Sequence, residues 1–231
     1  MSVVPRLVVF DCDGTLVDSQ NGIVASMTGA FESLGLASPE RGRILSIVGL
    51  SLHEAMARLA DPGDAAAIPE LVRRYKAGFS AVRADASHAE PLYDGVLEAI
   101  ERLAMRDEVL LGIATGKSQR GVARLLERHG LADRFATIQT ADDAPSKPHP
   151  AMLLQAMRAT GARPEATVMI GDTTFDMEMA RNARAHGVGV DWGYHPGAAL
   201  RTAGAGSVLD HMADLDRVLD GLWPAAREMS A

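Results

Sequence analysis

The sequence predicts an α/β protein: a Rossmann-like parallel sheet core carrying one inserted all-helical segment. Two observations predict it. Short aliphatic runs alternate with amphipathic helical patterns along most of the 231 residues, and that alternation makes a parallel sheet with helices on both faces. The alternation is interrupted once, over residues 18–87, where helical patterns occur and no strand pattern does.

Leu7–Val8–Val9–Phe10 is too short for a helix and apolar throughout, so it reads as a buried first strand. The insert follows. Ile23, Val24, Met27, Phe31 and Leu34 share one helix face, and Ile68, Leu71, Val72, Tyr75 and Phe79 share another. Hinges are expected near Val17–Asn21 and Ser87–Leu92, which leaves residues 1–17 and 88–231 to form the core. A helix is expected from Gly95 to Arg106, capped by Asp94, with Val96, Leu97, Ile100 and Leu103 inward. Leu110–Ala114 is the second strand. The next helix runs from Ser118 to His129, with Val122, Leu125 and Leu126 inward and Gly130 stopping it. Phe135–Ile138 is a third, weaker strand, followed by a helix over Ala151–Thr160 that ends at Gly161. Thr167–Ile170 is the fourth strand. A helix from Asp176 to His186 is expected to end at Gly187. Val188–Val190 and Gly206–Leu209 complete the sheet.

Composition excludes several classes. Hydrophobic residues make up 47% and aromatics only 4%, so the core is built from aliphatic side chains and Met. The net charge of −7 argues against a broad nucleic-acid-binding face. A local site can still be positive and take a small anion. The single cysteine, Cys12, can build neither a disulfide framework nor a zinc cluster within one chain, which fits a cytoplasmic protein. The first residues lack the apolar core and cleavage site of a signal peptide, and no apolar run is long enough for a membrane span. The expected state is a monomer or homodimer. Cys12 itself is expected to be a small buried hydrophobe.

Four segments bear chemistry, and each lies just past a predicted strand, on the edge where open parallel sheets bind ligands. Asp11-Cys12-Asp13-Gly14-Thr15-Leu16 follows the first strand. Alternation along the strand lets Asp11 and Asp13 approach one site while Cys12 points away. Two carboxylates that close repel each other unless a cation or proton intervenes, and a hard divalent ion such as Mg²⁺ suits oxygen ligands. Gly171-Asp172-Thr173-Thr174-Phe175-Asp176 follows the fourth strand and supplies Asp172 and Asp176. Thr115-Gly116-Lys117-Ser118 places a hydroxyl and backbone N–H groups at a helix start, which suits an anion, although the P-loop spacing is absent. Ser146-Lys147-Pro148-His149-Pro150 holds a lysine in a loop stiffened by two prolines. Taken singly, each segment also reads as an ordinary turn, cap or loop. Together on one edge they supply a nucleophile, metal carboxylates, a phosphate-binding hydroxyl and a cation.

These segments, in this order, resemble the haloacid dehalogenase superfamily in its phosphatase branch. Asp11–Leu16 is similar to its first motif, DxDGTL; Thr115 to the second; Lys147 to the third; Asp172 with Asp176 to the fourth, GDxxxD. The helical insert resembles the family's C1-type cap. Val190-Asp191-Trp192-Gly193-Tyr194-His195 and the short cap are similar to those of phosphoglycolate phosphatases. The resemblance implies that Asp11 is the nucleophile and forms a phosphoaspartate. It implies that Asp13 is the general acid and base. Mg²⁺ would be held by Asp11, Asp172 and the backbone of Asp13, with Asp176 in support. Thr115 and Gly116 would bind the phosphoryl oxygens, and Lys147 would offset charge between Asp11 and the phosphoryl group. The substrate would be a small phosphorylated metabolite, with 2-phosphoglycolate the first to test. An acid at Asp13 favours a leaving alkoxide over a halide, because the family's dehalogenases keep no aspartate there. A sugar phosphomutase or pyrophosphatase shares this scaffold, and a non-catalytic binding module remains the alternative of another class. Many phosphoglycolate phosphatases have Asn or Ser in the place of Gly116. Arg41, Arg43 and His53, on the insert, are candidate contacts to an anionic substrate, and His149 is expected to be a loop hydrogen bonder.

Overall fold

The computed structural model describes residues 5–82 and 90–223. Six parallel strands form one sheet: β1 (Arg6–Phe10), β2 (Val109–Thr115), β3 (Thr137–Thr140), β4 (Thr167–Gly171), β5 (His186–Val190) and β6 (Ser207–Leu209). The spatial order is β3-β2-β1-β4-β5-β6, so the winding direction reverses between β1 and β4. That reversal opens a crevice at the carboxyl ends of those two strands. The pairing Phe10↔Ile170 is in register there, and the Asp11 N–H donates to the Ile170 carbonyl at 2.9 Å. Asp11 and Asp172 therefore emerge side by side although they stand 161 positions apart in the sequence.

Ten α-helices accompany the sheet among the described residues: α1 (Gln20–Glu32), α2 (Arg41–Leu45), α3 (Leu52–Leu59), α4 (Ile68–Val82), α5 (Val96–Ala104), α6 (Gln119–Arg128), α7 (Ala151–Thr160), α8 (Thr174–Asn182), α9 (Gly197–Ala203) and α10 (Leu215–Leu222). Alternation along β1 serves two layers. Val8 and Phe10 join a cluster with residues of α5, α6 and α10, while Leu7 and Val9 join one with residues of α7 and α8. Both sheet faces are thus covered, which is why the strands read as unbroken apolar runs. None of the described helices is long and apolar enough to cross a membrane.

Helices α1–α4 enclose a separate apolar cluster around Ile23, Met27, Phe31, Ile44, Met56 and Leu71. Phe175 of α8 and Tyr194 also pack into it, so the helical segment rests on the sheet layer through these two rings. The chain leaves and returns along paired backbones: the Asp18 N–H donates to Pro91 O (2.9 Å) and the Tyr93 N–H to Leu16 O (3.0 Å). Of the expected second hinge, Ser87 to Ala89 lie outside the described residues.

Four expectations are corrected. β3 begins at Thr137, two residues late, because Phe135 packs its ring edge-on against Phe10 at 6.5 Å. Gly95, at φ 75°, is the residue preceding α5, and Asp94 makes no cap. On α5 the buried face is Val96, Ala99, Ile100 and Leu103, while Leu97 is exposed; the 3.6-residue period carries it off the stripe. α8 stops at Asn182. Arg184 takes the left-handed conformation (φ 59°), with Arg184 N–H to Arg181 O and Ala185 N–H to Ala180 O closing a Schellman motif. Gly187 lies within β5, where a Cβ would press on Met177 Sδ at 3.1 Å.

Candidate active site

Asp11 sits at the end of β1 and is 1% exposed; Asp172 and Asp176 are fully buried. One oxygen from each of the three carboxylates lies within 4.8 Å of the others. Each acid is oriented by its own donors. Asp11 Oδ1 accepts from the Cys12 N–H (2.7 Å). Asp172 accepts from the Thr15 hydroxyl (2.9 Å) and the Tyr194 N–H (2.9 Å). Asp176 Oδ2 accepts from the Thr173 hydroxyl (2.7 Å) and N–H (3.1 Å). Gly14 makes the approach possible: it has φ 84°, and a Cβ there would fall on the Asp172 carboxylate.

Lys147 reaches this group from the β3–α7 connection. Its Nζ lies 2.6 Å from Asp176 Oδ1 and 2.9 Å from Asp11 Oδ2, with its side chain fully buried. α7 packs across β3, β2 and β1, which carries the loop before it from the sheet edge to the centre. One ammonium faces three carboxylates. Burial is the largest influence on Asp11 and pushes its carboxyl up to about 6, against the pull of Lys147 and with a further push from Asp176. Burial, then Asp176 and Asp11, raise Asp172 well above the usual carboxylate range. Burial alone would lower Lys147, but Asp11 and Asp176 outweigh it and keep the ammonium charged.

The three acids fit a divalent metal ion. The donors are all hard oxygens, the group has surplus negative charge, and buried Asp11 Oδ2, though at ion-pair distance from Lys147, accepts no aligned hydrogen bond. The Asp13 carboxylate is not part of this trio; Asp176 is a full member of it.

Asp13 belongs to a second charged group that the sequence did not signal. Lys117 Nζ donates to Asp13 Oδ1 (2.7 Å) and Glu90 Oε1 (3.0 Å), and lies 5.4 Å above the Phe79 ring. Burial opposes the charge on Lys117, and Asp13 and Glu90 more than restore it. The position of Lys117 beside Gly116 was visible in the sequence; its acid partner from the hinge was not. Thr115 is buried at the end of β2, and its Oγ1 accepts from the Lys117 N–H (3.2 Å). Cys12 is buried, and burial raises its thiol pKa first, with Asp11 and Asp13 adding to the rise.

A cavity of about 560 Å³ opens on Asp11, Asp13, Thr115 and Gly116 and extends between the helical segment and α6. The 47–53 loop forms its roof. A Cβ on Gly116 would fall on the Leu50 carbonyl and lie 2.8 Å from that of Gly49. Ser51 N–H donates to Ser146 Oγ at 2.8 Å, next to Lys147. His195 Nδ1 accepts from the Thr174 N–H (3.1 Å), so its other nitrogen carries the proton and donates to Ser46 O (3.1 Å). The 190–195 segment braces the acid-bearing loops from outside the cavity: Trp192 Nε1 donates to Thr15 O, Tyr194 O–H pairs with Ser19, and the Tyr194 N–H holds Asp172. His53 lines the cavity, whereas Arg41 and Arg43 do not. Arg41 bonds Gln20 and Asn21, and Arg43 bonds the Arg58 carbonyl. His149 Nδ1 accepts from the Ala151 N–H within its loop.

A doubly wound sheet with an acid trio and a buried lysine at its switch point suits a hydrolase that handles an anionic ester. The family model of haloacid dehalogenase-like hydrolases matches residues 8–190, and the chain belongs to that family, in its phosphatase branch. Over 213 residues it is 36% identical to the "Probable phosphatase IndB" of Dickeya dadantii, covering 90% of this chain and 91% of that one. It is 31% identical to the phosphoglycolate phosphatase of Nitrosococcus oceani, covering 93% and 96%. A solved hydrolase from Pseudomonas syringae superposes with a TM-score of 0.82 at 28% identity, covering 94% and 98%.

Proposed function

We propose that the protein is a Mg²⁺-dependent phosphatase that hydrolyses a small phosphate monoester through an aspartyl-phosphate on Asp11. The observation that supports it most is the convergence of Asp11, Asp172, Asp176 and Lys147 at the switch point, with Asp11 and Asp13 alone of the acids in the trio's neighbourhood facing the cavity.

Asp11 attacks phosphorus, forming the acyl phosphate as the ester P–O bond breaks. Asp13 gives its proton to the leaving oxygen, then takes one from the water that attacks phosphorus and frees Asp11. Thr115 and the Gly116 N–H hold phosphoryl oxygens, and Lys147 offsets charge on Asp11 and the phosphoryl group. Asp11, Asp172 and Asp176, with the Asp13 carbonyl, would hold Mg²⁺, which supplies charge neutralisation for the reacting phosphoryl group. Residues 18–87 act as a cap that excludes water and selects the leaving group.

The test is phosphate release from a panel of esters, including 2-phosphoglycolate, with and without Mg²⁺, for wild type and Asp11→Asn. Metal-dependent release that the substitution abolishes is expected. Equal release by Asp11→Asn overturns the phosphoaspartate. Release from inorganic pyrophosphate alone makes the protein a pyrophosphatase, and dependence on a sugar bisphosphate activator makes it a mutase.

A further inference from the structure

The cavity is larger than a two-carbon phosphate ester needs, and its far arm has a chemistry of its own. At about 560 Å³ it matches sites that enclose drug-sized ligands. Besides Asp11, its lining includes residues of α6 and, just past β3, Ala141 and Asp142. Arg120 and Arg124 both line this arm. They are four residues apart on α6 and so lie on the same helix face, about 6 Å from one another along the axis. Among the described residues neither makes an ion pair or side-chain hydrogen bond. Asp142, the acid at that end, already accepts from the Gln119 N–H at 2.8 Å.

The lining also carries an apolar patch: Met27 of α1 with Tyr75 and Phe79 of α4, the two rings stacked at 5.5 Å with 16° between planes. Burial raises the Tyr75 hydroxyl pKa, so the phenol stays neutral, while the cations Lys76 of α4 and Lys117 also line the cavity. A two-carbon ester anchored at Asp11 would leave the rings and both guanidinium groups facing water.

We propose that this arm is the leaving-group subsite, and that the preferred substrate is a phosphate ester whose leaving group has a ring-sized apolar body ending in a second anion, a carboxylate or a phosphate. The rings cover the body and Arg120 and Arg124 hold the distal anion, where arginine's fork suits either oxyanion. The proposal rests on the phosphatase reading above.

The experiment compares kcat/KM for phenyl phosphate, 4-carboxyphenyl phosphate and 1,4-phenylene bisphosphate in wild type, in Arg120→Gln/Arg124→Gln and in Arg41→Gln. Wild type is expected to prefer an ester with the distal anion by about tenfold or more, the scale of one charge-assisted hydrogen bond. The larger of the two gains distinguishes carboxylate from phosphate. The double variant should lose the preference, Arg41→Gln should keep it, and added salt should shrink it. A wild type without the preference, or a preference that survives the double substitution, overturns the subsite while leaving the phosphatase standing. Release from no ester at all overturns the phosphatase reading and the subsite with it.

Discussion

Two lysines are buried beside carboxylates at this sheet edge, and their surroundings differ in one acid. Lys147 bridges Asp11 and Asp176, with Asp172 as a third carboxylate alongside. Lys117 bridges Asp13 and Glu90 over the face of Phe79. The first group keeps a surplus of negative charge in a fully buried place, which suits a metal ion. The second is closer to balance, sits nearer the cavity, and holds Asp13 in position. A third carboxylate thus separates a cation site from a positioning device built of the same residue types.

The largest effect should come from breaking the first group. Lys147→Met strands Asp11 and Asp176 as unpaired buried charges, and a loss of about 3–5 kcal/mol in stability is expected by chemical denaturation. Lys117→Met should cost less, about 1–3 kcal/mol, because of its two acids only Glu90 is left buried, while the Asp13 side chain retains 13% exposure and can turn to cavity water. Equal losses would dissolve the distinction between the two groups.

Proton linkage sharpens it next. Asp11 binds its proton more tightly in the fold (about 6) than at its ordinary value of 3.8, and Asp172 shifts the same way. The folded state therefore holds more protons than the unfolded one, and metal-free stability should fall as pH rises from about 4 through about 6. Mg²⁺ favours the ionised acids, so its gain in Tm should be greater at about pH 7.5 than at about pH 5. A gain independent of pH would place the ion elsewhere.

Gly116→Ala tests the roof. The new Cβ meets the Gly49 and Leu50 carbonyls, so the 47–53 loop must move. A cost of about 1–3 kcal/mol is expected, together with a larger fall in kcat/KM than the stability change explains. The smallest effect belongs to Arg43→Gln, an exposed contact outside the cavity, at about 0.5 kcal/mol or less and no change in turnover.

Adjacent residues settled much of this protein. The period of two in β1, the period of 3.6 in α5 to α8, and stops such as Gly161 are local, so strands, helices and the acids at strand ends were legible from the chain. Local rules also failed locally, where Arg184 replaced Gly187 as the helix stop and Phe135 left the ladder for the core. Tertiary structure alone decided that Glu90 would answer Lys117, that the Leu50 loop would lie on Gly116, and that Arg120 and Arg124, rather than Arg41 and Arg43, would face the cavity. Those outcomes depend on how the helical segment docks on the sheet, and contacts between residues far apart in sequence leave no period or turn signature to read.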